Sequence, residues 1–150
     1  SAFSRQIATL TRNEKLRFEC RWVHLAAQKD SPCVFTNGLD ELIHCPVAHG
    51  EGRFITDDAT LAAMDAAGLV ALRYVNPDGS AASGYPANPN GSLGNIAGIT
   101  NAKGNVLGLM PHPEDHLDPL QHPQHHRGVT GQFGLPLFAA GVRYATQSQV

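Results

Sequence analysis

A histidine and a glutamate stand two residues apart directly after a short apolar run. The run covers 106–110, and His112 and Glu114 follow it with prolines at 111 and 113. Proline biases the residue before it towards extended backbone, in which residues two apart project to the same side. A carboxylate beside an imidazole sets its tautomer and stabilises its protonated form, as in the base-and-orienter half of a nucleophilic triad. The spacing therefore predicts that His112 and Glu114 meet at the end of a buried strand.

None of the three cysteines stands where a nucleophile for that pair would be expected. Cys20, Cys33 and Cys45 lack the flanking glycines that the sharp turn of a nucleophile elbow requires. An odd number of cysteines without CxxC spacing indicates free thiols in a reducing compartment, not a disulfide framework or a zinc site. We expect all three to be buried structural thiols. Without a nucleophile, the histidine and glutamate equally fit a solvated pair in a proline-rich loop.

Composition and charge fit one globular domain. The chain has 150 residues, of which 42% are hydrophobic and 16% charged, and its formal net charge is −2. A domain of this length buries about two-thirds of its unfolded surface. No basic stripe indicates a nucleic-acid surface, and no apolar run is as long as a membrane span. We therefore expect a cytoplasmic protein that binds neither nucleic acid nor membrane.

Hydrophobic periodicity predicts five strands, the last two forming a hairpin. The predicted strands are 17–24, 42–48, 69–75, 96–100 and 106–110. Pro46 favours an edge position for the second strand, since proline has no N–H to donate. The stretch 1–13 has no clean period and is interpreted as the end of a helix before a turn. Gly, Pro, Asn and Ser fill 76–95, which predicts a long functional loop.

Capping residues predict two helices. The first begins at Asp57 or Asp58, either of which can cap it, and ends at Gly68. The second covers 134–145 and has Pro136 in its first turn, where a missing N–H costs nothing. We find no internal repeat. The chain therefore mixes helices and strands within one predicted domain.

Five stretches match one family in the same order. They are Arg-Asn at 12–13 followed by Phe-x-Cys-Arg-Trp-Val at 18–23, Pro-Val-Ala-His-Gly-Glu-Gly-Arg-Phe at 46–54, Asn-Pro-Asn-Gly-Ser at 88–92, Ile-Ala-Gly-Ile-Thr-Asn at 96–101, and Gly-Asn-Val-Leu-Gly-Leu-Met-Pro-His-Pro-Glu at 104–114. Together they resemble the glutaminase subunit of phosphoribosylformylglycinamidine synthase. Five ordered motifs are far more specific than any one of them.

The resemblance implies a flavodoxin-like α/β fold of the triad glutamine amidotransferase type, incomplete and with added antiparallel strands. In the family, a cysteine thiolate attacks the side-chain amide of glutamine and releases ammonia. A synthetase partner, either a separate subunit or a fused domain, uses that ammonia with ATP and Mg in purine synthesis. By this resemblance His112 is the general base and Glu114 orients it, while His49, Gly50 and Glu51 lie near the glutamine pocket. No cofactor or metal is expected in this domain itself.

The chain departs from the family at two points. The family most often has arginine where this chain has Asp115, and we expect Asp115 to point away from the site because it is one residue beyond Glu114. The family's Gly-x-Cys-x-Gly elbow lies a few residues before the position that matches Ser1. Residues 1–150 are therefore interpreted as the C-terminal part of a single glutamine amidotransferase domain, inactive alone because the catalytic cysteine is missing.

Two other functions are compatible with the sequence. One is a metal-binding module, in which zinc, nickel or copper would be bound by histidines of one segment: His112, His116, His122, His125 and His126. These histidines have no standard ligand spacing, so a solvated loop is the favoured interpretation of the segment 116–126. The other is a triad-deficient fold that binds the synthetase without catalysis. It predicts binding without glutaminase activity.

Overall fold

The computed structural model describes residues 6–131 and 133–147. Within them the strands are β1 (Ala8–Thr11), β2 (Glu19–Ala27), β3 (Ile43–His49), β4 (Arg53–Thr56), β5 (Val70–Val75), β6 (Ile96–Thr100) and β7 (Leu107–Leu109). The α-helices are α1 (Asp58–Ala66) and α2 (Leu135–Gln147), and 3-10 helices cover Leu93–Asn95, Pro113–His116, Pro119–Gln121 and His125–Arg127. The five predicted strands and both predicted helices are therefore present, with shifted ends.

Two antiparallel sheets form the framework. Strands β3, β2, β5, β6 and β7 pair in that order, and β1 pairs with β4. All pairs between the described strands are antiparallel. The described strands therefore correspond to the antiparallel part of the expected α/β architecture. Strand β3 lies at one edge, which confirms the position that Pro46 predicted.

The main core lies on one face of the five-stranded sheet. Alternate residues of β2 point into it, so that Val23 and Leu25 are buried, and Leu137 of α2 packs against the same cluster. Burying a side chain such as Leu25 stabilises the fold by about 1.5–3 kcal/mol. The buried members are Val23, Leu25, Ile43, Cys45, Val47, Leu72, Tyr74, Ala82, Ala97 and Leu137. This core fixes the edge strand β3, which carries part of the site.

Helix α1 covers a second, smaller core. Asp57 caps the helix by accepting a hydrogen bond from the backbone N–H of Thr60 at 2.8 Å, and Gly68 ends it with a φ of 66°, so both predicted boundaries are confirmed. The buried residue of the helix is Met64, which packs with Phe54, Val70 and Ile96. No helix in the described part of the chain is long and apolar enough to cross a membrane.

Two predictions about the strands are wrong. Ala8–Thr11 is a strand, not the end of a helix, because its backbone pairs with Arg53–Thr56. The remainder of that predicted helix end, residues 1–5, lies outside the described residues. The apolar run 106–110 is not a buried strand, since only Leu107–Leu109 is extended, at the edge of the sheet, and Val106 is 60% exposed.

The predicted long loop 76–95 is present, and its last part is buried. The side-chain oxygen of Asn88 accepts hydrogen bonds from the N–H groups of Gly91 at 3.0 Å and Ser92 at 3.2 Å. The hydroxyl of Ser92 accepts one from the N–H of Phe54 at 3.0 Å. These contacts hold the motif 88–92 against β4, next to the loop that connects β3 to β4.

Candidate active site

The turn after β7 brings His112 and Glu114 together. The backbone N–H of His112 donates to the carbonyl of Pro46 at 2.8 Å, which ties the turn to the edge strand β3. His112 Nδ1 lies 2.8 Å from Glu114 Oε1, so the predicted contact is confirmed. The backbone differs from the prediction, because Pro113–His116 is a 3-10 helix and the two side chains meet across a tight turn. The carboxylate accepts a hydrogen bond from Nδ1, which leaves Nε2 to take a proton.

Asp115 also lies in this group, contrary to the prediction that it points away. Its carboxylate, a ring nitrogen of His112 and a carboxylate oxygen of Glu114 offer ligand atoms that all lie within 4.8 Å of one another. Neighbouring residues in a 3-10 helix are rotated by about 120°, not by the 180° of a strand, because the helix has three residues per turn. Asp115 therefore adds a second negative charge beside the imidazole.

The loop 49–52 after β3 forms the second part of the site, and Asn13 holds it. The backbone N–H of Asn13 donates to the carbonyl of Gly50 at 2.9 Å, and its side-chain Nδ2 donates to the carbonyl of His49 at 2.7 Å. Asn13 Oδ1 accepts a hydrogen bond from the N–H of Gly52 at 3.1 Å. Asn13 is completely buried, and three of its polar groups are therefore committed to this one loop.

The imidazole of His49 lies between two asparagines. Its Nδ1 is 3.2 Å from Asn13 Oδ1, and its Nε2 is 3.4 Å from Asn90 Nδ2. Burial lowers the pKa of His49, and the nearby His112 lowers it further. At this position His49 is a neutral, hydrogen-bonded ring.

The three residues predicted to lie near a glutamine pocket differ in what they present to solvent. The ring of His49 is 6% exposed and contacts other protein groups. The side chain of Glu51 is 73% exposed and lies 3.8 Å from Arg12. Gly50 is half-buried between them. Only the Gly50 backbone and the Glu51 side chain are therefore accessible to a small molecule from this loop.

Positive side chains surround Tyr85 beside this loop. Lys15 Nζ lies 3.2 Å from the centre of the Tyr85 ring, and the guanidinium groups of Arg17 and Arg21 contact the Tyr85 hydroxyl. Both arginines also bind Glu19, at 2.8 and 3.0 Å. Burial on its own would raise the pKa of Glu19, but the two arginines lower it overall. Three cations therefore lie around Tyr85, and Glu19 pairs with two of them.

The three cysteines are free thiols, as predicted, but they are not all buried. Cys33 and Cys45 lie in the interior, and burial raises the pKa of the Cys45 thiol. The Cys45 thiol is therefore not ready to act as a thiolate, and Cys33 is shielded from solvent. The prediction of a buried thiol is wrong for Cys20, which is exposed because it lies on the outward face of β2.

A histidine–tryptophan cluster, formed by Trp22, His24, His44, His116 and His122, covers the outer face of β2 and β3. The rings of His24 and His44 are stacked with their centres 4.2 Å apart. The Trp22 ring lies 5.0 Å from His44, 5.0 Å from His116 and 4.6 Å from His122. His116 and His122 are 1% and 7% exposed, so the interpretation of their segment as a solvated loop is wrong for both.

Two histidines of this cluster, His44 and His122, have lowered pKa values. His116 Nδ1 donates to the carbonyl of His44 at 2.6 Å, and its buried Nε2 has no hydrogen-bond partner among residues 6–131 and 133–147. Burial lowers the pKa of His44 to about 4, and His24, His122 and His116 add to that effect. Among the described residues, three ligand atoms come within 4.8 Å of one another only at His112, Glu114 and Asp115, so these rings do not form a ready metal centre.

Comparison with known proteins assigns the chain to a family. A CobB/CobQ-like glutamine amidotransferase domain matches residues 2–145. The chain belongs to this family. The phosphoribosylformylglycinamidine synthase subunit PurQ of Treponema denticola is 47% identical over 142 residues, which are 91% of this chain and 52% of that protein. The subunit of the same name from Dehalococcoides mccartyi is 42% identical over 147 residues, which are 95% of this chain and 54% of that protein.

A solved structure is similar over the same extent. A chain in the structure of PurLQS from Thermotoga maritima has a TM-score of 0.65 and 33% identity, and the likeness covers 95% of this chain and 55% of that one. This glutamine amidotransferase chain therefore spans about half the length of the relatives it matches. The family and the fold class predicted from five motifs are confirmed. The roles of His112, Glu114, His49, Gly50 and Glu51 stay predictions.

The sequence did not reveal the residues that hold the site together. Asn13 and Asn90 lie inside the motifs 12–13 and 88–92, but a motif gives no direction to a side chain. The alternation of inward and outward residues along β2 and β3 puts His24 and His44 on the outer face. The residues that cover this face come more than 70 positions later, as in the contact of His116 with His44. Only the tertiary structure brings such distant residues together.

Proposed function

We propose that this chain is the glutamine amidotransferase component of phosphoribosylformylglycinamidine synthase, which releases ammonia from glutamine for purine biosynthesis. The observation that carries the proposal is the 2.8 Å contact between His112 Nδ1 and Glu114 Oε1. A carboxylate on one ring nitrogen leaves the other as a base of fixed orientation, which is what the activation of a thiol requires. The relatives named above carry the name of a subunit of this synthase.

In the proposed reaction His112 Nε2 takes the proton of a cysteine thiol, and the thiolate attacks the side-chain carbonyl carbon of glutamine. His112 then returns the proton to the departing nitrogen, which leaves as ammonia, and a water molecule activated by the same ring hydrolyses the thioester to glutamate. Glu114 keeps the ring in place and stabilises its protonated form. In this scheme Gly50 and Glu51, which are accessible on the neighbouring loop, contact glutamine.

The thiol is proposed to come from polypeptide beyond these 150 residues. Cys33 and Cys45 are buried, and the pKa of Cys45 is raised by burial. Cys20 is exposed but is flanked by Glu19 and Arg21 on a regular strand, where the sharp turn of a nucleophile elbow is missing. The half-triad His112–Glu114 therefore needs a nucleophile from another segment.

The ammonia is proposed to pass to a synthetase partner of the kind that the name PurLQS implies, which would use ATP and Mg for the ligation. This domain itself is proposed to need no cofactor. A cytoplasmic location is compatible with the free thiols of Cys20, Cys33 and Cys45, since the cytosol keeps thiols reduced.

The test is to measure glutamate release from glutamine by two proteins. The first is the 150-residue chain, which should have no activity because the thiolate supplies the covalent step. The second joins this chain to the part of the Treponema denticola subunit that the chain does not match. We call this fusion the chimera, and expect it to hydrolyse glutamine. Turnover by the chain alone, abolished by replacing one of its three cysteines, would contradict the proposal.

A chimera that binds the synthetase but hydrolyses no glutamine would favour the other candidate function, a non-catalytic binding module. The missing nucleophile among the three cysteines is the observation that favours this alternative. Pull-down with the synthetase and ammonia release, measured on the same preparation, therefore separate the two functions.

A further inference from the structure

The orientation of the Asn13 amide is fixed by two backbone carbonyls. Asn13 Nδ2 lies 2.9 Å from the carbonyl oxygen of Arg17 and 2.7 Å from that of His49. A carbonyl only accepts hydrogen bonds, so the atom facing both must be the NH₂ group. The other side-chain atom, Oδ1, accepts the N–H of Gly52 and therefore faces His49 Nδ1 as an acceptor. His49 must then carry its proton on Nδ1.

The Asn90 amide leads to the same tautomer from the opposite side of the ring. Asn90 Oδ1 accepts hydrogen bonds from the backbone N–H of Ser92 at 3.1 Å and from its hydroxyl at 2.7 Å. Its NH₂ group donates to the carbonyl of Gly52 at 2.8 Å, and it approaches the Tyr74 hydroxyl at 3.3 Å and His49 Nε2 at 3.4 Å. An amide NH₂ group accepts no hydrogen bond, so a proton on Nε2 would find no acceptor in Asn90. Two independent amides thus select the same form of His49.

We propose that Asn13 is a positioning residue that fixes His49 as the neutral Nδ1–H tautomer, and that His49 acts by holding the 49–52 loop and not by touching substrate. Both ring nitrogens face asparagine side chains, and the ring is 6% exposed. This inference rests on the proposed function only where it assigns the loop to a glutamine site. The tautomer and the role of Asn13 follow from the hydrogen bonds alone.

The loop is built around the ring. A Cβ atom on Gly52 would lie 2.7–2.8 Å from three atoms of the His49 ring, a distance at which one group must move. The N–H and the carbonyl of Gly52 bind Asn13 and Asn90, and the backbone of Asn13 binds Gly50. The ring, the two amides and residues 50–52 therefore form one rigid unit that presents the Gly50 backbone and the Glu51 side chain.

The first test is the nitrogen NMR spectrum of the ¹⁵N-histidine-labelled 150-residue chain. The chemical shifts of the two ring nitrogens distinguish a protonated Nδ1 from a protonated Nε2. We expect His49 to show a protonated Nδ1 and a bare Nε2 at pH 7, and exposed His126 provides the comparison within the same spectrum. A protonated Nε2 on His49, or an equal mixture of the two forms, would overturn the proposal.

The second test compares two replacements of the ring. The amide nitrogen of asparagine reaches the position of histidine Nδ1, whereas the amide nitrogen of glutamine reaches that of Nε2. His49→Asn should therefore keep the donor to Asn13 and the slow hydrogen exchange of the Gly52 N–H. His49→Gln should lose that donor and speed up this exchange about tenfold, the effect of one buried hydrogen bond. The matched controls His126→Asn and His126→Gln should leave the exchange of Gly52 unchanged.

The third test removes the amide of Asn13. Asn13→Leu has a similar volume but neither donor nor acceptor, and it should change the nitrogen shifts of His49 and expose the Gly52 N–H to exchange. Asn37→Leu, at an exposed asparagine, is the control. Should Asn13→Leu not fold, the wild-type tautomer and the His49 pair still decide the question. Faster exchange in His49→Asn than in His49→Gln would contradict the proposal, whatever the chimera does with glutamine.

Discussion

Two histidines of the same turn, His112 and His116, work in opposite ways. His112 is 38% exposed and faces the carboxylate of Glu114. His116 is 1% exposed, donates to a backbone carbonyl and packs against Trp22 and other imidazoles, so its contacts are structural. The role of each histidine therefore depends on the groups that contact its two ring nitrogens.

His49 represents a third arrangement. Burial and the nearby His112 lower its pKa, and two asparagines face its ring nitrogens, whereas the lowered pKa of His44 comes from burial beside other histidines. The hydrogen bonds of His49 fix its tautomer, which burial by itself does not do. A ring with a fixed tautomer, such as that of His49, is suited to holding a loop in one conformation.

The largest effect is expected for the exposed histidine. In the chimera, His112→Ala should lower the rate of glutamine hydrolysis by about 10³-fold or more, as expected when a triad base is removed. His126→Ala, in the same His-rich segment but exposed and twelve positions after Glu114, should not change the rate. Glutamate release measured by a coupled assay tests both. Near-normal hydrolysis by His112→Ala would contradict the role of His112 as the general base.

The next effect concerns the cluster and appears in stability, not in activity. The pKa of His44 is lowered from 6.5 to about 4. Between these pH values the His44 ring is therefore protonated in the unfolded chain and neutral in the folded chain. Stability is therefore complete above pH 6.5 and falls as the pH drops towards 4. A shift of this size corresponds to roughly 3 kcal/mol, and the pKa of His122, which burial and His116 also lower, acts in the same direction.

Urea unfolding of the 150-residue chain at pH 7, 6, 5 and 4 measures this loss. His44→Gln should flatten the dependence of the unfolding free energy on pH, because a residue that does not titrate replaces the most strongly shifted one. His126→Gln is the matched control and should leave the slope unchanged. A wild-type unfolding free energy that stays constant from pH 7 to pH 4 would mean that the cluster does not exclude protons.

Glu114→Gln should reduce activity less than His112→Ala does. The glutamine side chain keeps a group of the same shape at 2.8 Å but cannot stabilise a charged imidazole, so we expect a loss of about 10–100-fold in kcat. The measurement is kcat and KM for glutamine in the chimera, since a loss confined to KM would indicate a role in binding. A rate equal to that of the parent chimera would show that the imidazole needs no orienting charge.

Features that depend on residues close together in the sequence were easier to predict than features that depend on distant residues. The hairpin of β6 and β7, the cap at Asp57 and the contact of His112 with Glu114 depend on residues a few positions apart, and all three were predicted. The orientation of Asp115 was predicted wrongly because an extended backbone was assumed where Pro113 begins a 3-10 helix.

Features that depend on distant residues could not be predicted. The contact of Asn13 with His49 spans 36 positions, and that of His116 with His44 spans 72. Each side chain taken alone fits several environments, and packing decides among them. The family motifs compensated in part, because they indicated which segments matter without indicating which atoms meet.

The smallest effect is expected for Asp115, the residue at which this chain departs from the family. Its carboxylate lies within 4.8 Å of the ligand atoms of His112 and Glu114, but the close contact with Nδ1 belongs to Glu114. An exposed charge of this kind contributes about 0–1 kcal/mol, so Asp115→Asn should lower kcat/KM in the chimera by less than about fivefold. The loss should shrink further at high salt, since exposed charges are screened. Asp118→Asn, a few residues further along, is the control for a general change in surface charge. If Asp115→Asn were more damaging than Glu114→Gln, Asp115 would be the carboxylate that orients His112, and the roles assigned to the two acids would have to be exchanged.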